Sequence, residues 1–170
     1  MCCGMIARRD ITPEQRERAG RMVASRPLPD REEPLPRDFH GSLGEVVMCD
    51  YYGGDVRDEL DYDLLVGGLK VEVKTKLFTA GHVPSLDWEV SVPATSVHQR
   101  TELFGFMGLS DDLREAYVYG FLTRSDFFRL AEFVPGNEKR DGFSTPANTW
   151  RVKVRDLETY GGSSTRHRKG

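Results

Sequence analysis

Apolar and polar positions alternate most regularly between Asp61 and Lys76, in the stretch DYDLLVGGLKVEVKTK. Leu64, Val66, Leu69, Val71 and Val73 fall on one side of an extended chain, on either flank of Gly67-Gly68, which is the pattern of a strand pair with one buried face. Gly-Gly is a favoured two-residue hairpin turn because glycine takes positive φ without steric cost. With those two residues as the loop, cross-strand partners sum to 135. Val66 then faces Leu69, Leu64 faces Val71, Asp63 faces Glu72 and Asp61 faces Lys74. The face opposite the apolar one carries Asp61, Asp63, Glu72 and Lys74, with Leu65 and Lys70 nearer the turn.

The flanking pattern predicts further elements. Residues 13–25 read as a surface helix rich in arginine, with Thr12 as N-cap and Pro13 in its first turn. Residues 26–38 carry four prolines and mixed charge. They predict an extended arm that could contact nucleic acid, mediate a homodimer or simply wrap the domain. A core helix runs from a Ser42 cap to about Tyr52 and stops at Gly53-Gly54, with Glu45 beside its apolar face. Trp88 to Val92 alternates as a third strand, ended by Pro93. Thr95 to Phe106 suggests a helix carrying His98, Gln99 and Arg100. Glu115 to Leu122 reads as a central strand, and Ser125 caps a short aromatic segment. Thr149 to Val154 reads as an edge-like last strand. Arg151, Lys153 and Arg155 there form either a phosphate-contact row or a solvated edge. Residues 161–170 read as a basic, disordered tail.

The polar face of the hairpin carries the chemistry. Carboxylates directly opposite on a sheet have Cβ atoms only about 5 Å apart and repel. In a cleft a cation must reconcile them, and a hard divalent ion with oxygen ligands suits the pair. The plain alternative is a polar strand face laced by ion pairs. His82 and His98 belong to no nucleophile elbow and to no i, i+4 metal pair. Tyr117, Tyr119, Phe121, Phe127 and Phe128 read as core.

Asp63, eight residues and then Glu72-Val73-Lys74 resembles the D…ExK signature of the PD-(D/E)XK nuclease superfamily. Glu45 fits the acidic residue that the family places on a preceding helix. Tyr62 stands where the family name has proline, and Leu103 stands where a QxxxY form would have tyrosine. The resemblance covers residues 39 to about 155. It implies an α/β fold of restriction-endonuclease type, with an αβββαβ core, a mixed central sheet flanked by helices and an N-terminal helical arm. It also implies a Mg²⁺-dependent nuclease, with Mn²⁺ as a substitute, acting on nucleic acid and on DNA first. Asp63, Glu72 and the backbone carbonyl of Val73 would hold the ion. Glu45 would act through water or hold a second ion, and Lys74 would orient and help deprotonate the attacking water. Asp61 competes with Asp63 as ligand, its plain reading being a salt-bridge partner of Lys74.

Composition narrows this picture only a little. The 170 residues suit one domain with a short appendage. They divide into an arm at 1–38, a nuclease-like domain at 39–160 and a tail at 161–170. Apolar content of 38% and charged content of 30% predict a soluble globular chain. No apolar run approaches a membrane span, and no secretory h-region stands at the start. Cys2, Cys3 and Cys49 are odd in number and lack CxxC spacing, which argues against a disulfide framework or a zinc site and for a reducing cytosol. Compact size and an isolated catalytic core would suit a phage or mobile element. A net charge of −3 leaves nucleic-acid binding open, because an acidic cluster offsets basic patches in the sum.

Overall fold

The structure, a computed structural model, describes residues 6–27, 33–57, 62–140, 143–144 and 146–158. The chain opens with strand β1 (Ala7–Asp10) and helix α1 (Pro13–Ser25). Thr12 caps α1 reciprocally: its hydroxyl accepts from the Gln15 amide, and the Gln15 side chain accepts from the Thr12 amide. Ala19 and Val23 turn inward and the arginines outward.

Helix α2 (Pro36–Tyr52) starts earlier than a Ser42 cap would allow. Pro36 sits in its first turn, where a missing N–H costs nothing, and the Asp38 carboxylate accepts from the Leu35 amide. The end of the proline-rich stretch is therefore helical, while residues 28–32 lie outside the described chain. Ser42 is buried within the helix and accepts a hydrogen bond from Arg26. Gly53 closes the helix in the left-handed region at φ +70°.

Strands β2 (Asp55–Val56), β3 (Leu64–Val66) and β4 (Leu69–Phe78) follow. The β3–β4 hairpin has the register expected from its turn, with Leu64 opposite Val71, Leu65 opposite Lys70 and Val66 opposite Leu69. Next come β5 (Glu89–Pro93), a 3₁₀ turn (Ala94–His98), β6 (Leu103–Ser110) and β7 (Glu115–Thr123). Helix α3 (Arg124–Leu130) is capped by the Thr123 hydroxyl rather than by Ser125. The chain continues through β8 (Glu132–Val134), the two-residue strands β9 (Lys139–Arg140) and β10 (Phe143–Ser144), and β11 (Thr149–Lys153).

The main sheet is mixed, in the order β1-β7-β6-β4-β3-β2. Strand β4 runs parallel to β6, and its other pairings are antiparallel. Helices α1 and α2 cover one face around Val46, Met48, Leu64, Val71 and Met107. On the other face lie α3 and a small sheet in the order β5-β11-β8, around Phe78, Phe104, Phe106 and Phe127. This is a mixed α/β architecture with three α-helices among the described residues.

Three further expectations fail. Residues 95–106 are not a helix, because the segment from Leu103 is a strand buried at every position on both faces. A doubly buried strand is continuously apolar and shows no alternation to identify it. The strand at Trp88–Val92 exists as β5 but joins the second sheet, leaving β2 as the third strand of the hairpin region. Strand β11 is no edge, since β5 and β8 pair on its two sides.

Close packing of α2 on β4 depends on Gly44. A Cβ built there would lie 1.9 Å from Thr75 Oγ1 and 3.0 Å from Thr75 Cβ. Thr75 is β-branched and stiff, so the helix would have to lift. Gly44→Ala is expected to cost about 1–3 kcal/mol in urea unfolding. Thr75→Ala in the same chain should recover most of that loss, because the Thr75 hydroxyl is buried without a partner among the described residues.

Candidate functional site

The carboxylates singled out in the sequence come from three elements. Glu45 lies in the middle of α2, Asp63 immediately precedes β3, and Glu72 stands on β4 with Val73 and Lys74. Glu45 and Glu72 are 6% and 8% exposed, unusually low for carboxylates outside a functional cluster. Asp63 binds β4 twice: its amide donates to the Val71 carbonyl at 2.9 Å, and its Oδ2 accepts from the Val73 amide at 2.7 Å.

That second bond fixes the direction of the Val73 carbonyl. In an extended strand the N–H and C=O of one residue point to the same side, and successive residues alternate. Val71 and Val73 therefore present their backbone toward Asp63, while the Lys70 carbonyl serves the β6 side, accepting from Glu102 and Thr101. The Val73 carbonyl thus faces the carboxylates and is not consumed by the ladder to β6.

Each flanking carboxylate meets a cation. Arg26, just past α1, donates to Glu45 Oε2 at 2.7 Å and to Ser42 Oγ at 2.8 Å. Lys74 Nζ donates to Glu72 Oε1 at 2.7 Å and lies 3.5 Å from Ser96 Oγ. Gln99 Nε2 donates to the same Glu72 oxygen at 3.1 Å, and its own Oε1 is buried without a partner among the described residues. Asp63 has the least compensation. Burial, then the negative charges of Glu45 and Glu72, push its carboxyl well above the ordinary carboxylate value, against the pull of the Val73 amide and Lys74. The three acids therefore sense one another across a poorly solvated junction.

Among the described residues, no three His, Cys, Asp or Glu side chains stand close enough to enclose an ion as they are placed. The donor set of carboxylates plus one backbone carbonyl suits a hard cation such as Mg²⁺ in kind. The negative charge that disturbs Asp63 is what such an ion would relieve. Closing the set around an ion requires Glu45 and Glu72 to turn from Arg26 and Lys74.

The remaining candidates scatter. Asp61 lies outside the described residues, and the partner Lys74 shows is Glu72. Arg151 pairs with Glu89 at 3.3 Å and Arg155 with Asp87, so with Lys153 they form no open phosphate row. His82 is exposed in a turn, and His98 lies in the 3₁₀ turn with its side chain outside the description. Tyr117, Tyr119, Phe121 and Phe127 are core, and Phe128 is half-buried against Phe104 and Trp150. Sequence reasoning missed Arg26 and Ser96, which enter through packing between elements and leave no local signal. Gln99 was noted, although the helix expected to carry it does not exist. The one free thiol among the described residues, Cys49, is buried in α2, and no described helix is long and apolar enough to cross a membrane. No protein-family model matches the chain, and no curated protein does either.

Two outcomes follow from the charge balance. Between the ordinary and the raised Asp63 values, the folded state keeps a proton that the unfolded state has released. Stability of the metal-free protein should therefore fall as pH rises through that window. Asp63→Asn should flatten the slope and raise stability at the alkaline end by on the order of 1 kcal/mol, read from urea unfolding at a series of pH values. Arg26→Ala leaves Glu45 buried without its arginine and should cost about 2–3 kcal/mol. Adding Glu45→Gln should recover part of that loss.

Proposed function

We propose that this chain is a metal-dependent nuclease of the PD-(D/E)XK type, hydrolysing phosphodiester bonds. DNA is the first candidate substrate, cut internally with low or structure-based rather than long-site sequence specificity. The observation that carries this reading is that Asp63 reaches across to the Val73 amide of β4, beside Glu72 and its partner Lys74, while the charges of Glu45 and Glu72 help hold the Asp63 carboxyl above its ordinary value. A purely structural strand face has no reason to concentrate like charges that disturb one another. The fold supports the reading as well: α2 lies over a sheet whose hairpin strand β4 runs parallel to β6, in keeping with a restriction-endonuclease-like core. The crossover from β4 to β6 departs from αβββαβ, carrying β5 and a 3₁₀ turn where that order has a helix.

Asp63, Glu72 and the Val73 carbonyl would hold Mg²⁺ or Mn²⁺, with Glu45 beside them directly or through water. When bound, the ion supplies an acidified water and a counter-charge for the phosphate oxygens. The protein's own groups do the rest. Lys74, already beside Glu72, orients the attacking water, helps it shed its proton to solvent, and balances the negative charge that builds on the phosphate oxygens. Gln99 holds the Glu72 carboxylate in place through Nε2. Arg26 holds the Glu45 carboxylate from the side of α1.

A second reading keeps the fold and drops the cutting: a module that grips nucleic acid or a protein partner. It draws on one observation, that Glu45 and Glu72 are each satisfied by an internal cation.

The two readings separate on supercoiled, linear and branched DNA incubated with Mg²⁺ or Mn²⁺ and then with EDTA. Nicking should require the metal and stop with EDTA. Glu72→Ala should abolish it, and Lys74→Ala should reduce the rate about 10²–10³-fold. Binding with no metal-dependent cutting would favour the module.

A further inference from the structure

Strand β3 covers β4 only as far as Val71, so among the described residues no strand pairs with the remainder of that edge. A cleft of about 370 Å³ opens there. Its walls are the first turns of α2 (Arg37, His40, Gly41), the β4 edge (Lys74, Thr75) and Ser91 of β5. By the same alternation that turns Val73 toward Asp63, the backbone of Thr75 faces this cleft and away from β6. Lys74 belongs both to the cleft and to the carboxylate junction, so the two are continuous.

The cleft differs in charge from the junction beside it. Arg37 and His40 have no hydrogen-bonding or ionic partner among the described residues, whereas Arg8, Arg18, Arg21, Arg26, Arg129, Arg151 and Arg155 are all paired with carboxylates. Along β4 the surroundings change from the acids to Arg37 and His40, which have no ionic partner among the described residues, together with Lys74 and the outward backbone of Thr75. An anion fits the second environment and is repelled by the first. The volume is at the low end for a bound small group, enough for one backbone unit of a single strand and too small for both strands of a duplex.

We propose that this cleft binds the sugar–phosphate backbone of a single nucleic-acid strand. Arg37 and His40 hold the phosphate next to the one brought to the carboxylates. The naming of a phosphodiester as ligand rests on the nuclease reading of the neighbouring junction. Arg37 offers a planar fork to phosphate oxygens, His40 a ring N–H, and the β4 edge a fixed amide. Fixing that neighbouring phosphate sets which bond lies at Asp63 and Glu72, so both side chains are positioning residues for the cut.

The test uses the full chain, a fluorescein-labelled oligothymidylate and a duplex of equal length. Binding is followed by anisotropy in EDTA over a range of salt, and cutting is followed in Mg²⁺. Arg37→Ala and His40→Ala should each weaken single-strand binding about tenfold. Arg37→Ala should also lower the salt slope by about 0.7, the value for one lost phosphate contact on a single strand. Arg37→Lys should restore much of the slope. Glu72→Ala should remove cutting without weakening single-strand binding, and by freeing Lys74 in the cleft wall it should hold or raise affinity. Unchanged single-strand affinity and slope in both cleft variants would overturn the proposal, even if Glu72-dependent cutting is present. Loss confined to the duplex probe would overturn the single-strand assignment. Slope-dependent binding lost in the cleft variants, with no cutting by any form, would keep the cleft and remove the nuclease.

Discussion

The constraint on which the rest of the structure depends is the crowding of like charge where β3 meets β4. Glu45 and Glu72 are buried near enough to the half-buried Asp63 for their charges to disfavour its ionised form, and the fold surrounds the acids with partial remedies. Arg26 answers Glu45, and Lys74 and Gln99 answer Glu72. Asp63 is left with one backbone amide and a carboxyl that resists ionisation. Natural proteins hold such unfavourable arrangements where function needs them and secure them with tight packing elsewhere. Here the security comes from α2, seated on the sheet through Gly44 against Thr75 and through Met48 against Gly105. A larger residue at Gly44 would lift the helix that carries Glu45, whereas one at Gly105 would push aside the flexible end of Met48.

What the chain's sequence discloses follows from how local each determinant is. The hairpin is legible because its turn chemistry and period-two pattern lie within one short stretch, and its register follows from arithmetic. Beyond Leu64 and Val71 the arithmetic no longer describes the pairing, because Asp63 bonds Val71 and Val73. The start of α2 is not, because prolines that suggest an extended arm also suit a first helical turn. Strand β6 is hidden by its own burial: Phe104 and Phe106 serve one core cluster while Leu103, Met107 and Leu109 serve the other. Arg26 is hidden because its role exists only once α1 packs on α2. Its partner Glu45 stood out, while the arginine in a basic, proline-rich setting did not.

Strand lengths connect these facts. Strand β3 spans Leu64–Val66 while β4 spans Leu69–Phe78, and the mismatch has two consequences. Where the short strand starts, the Asp63 amide still reaches the Val71 carbonyl, and its side chain takes the Val73 amide where no backbone partner follows. Beyond that point no described strand pairs with β4, and its edge lies between α2 and β5. An open edge is a hazard for pairing with another chain, and here it is recessed between two packed layers that admit a slender ligand more readily than a second sheet. Had β3 continued to pair along β4, the acids would be locked into a ladder and the cleft filled. The charge junction and the basic recess beside it are therefore two products of one topological choice, a hairpin with one arm cut short.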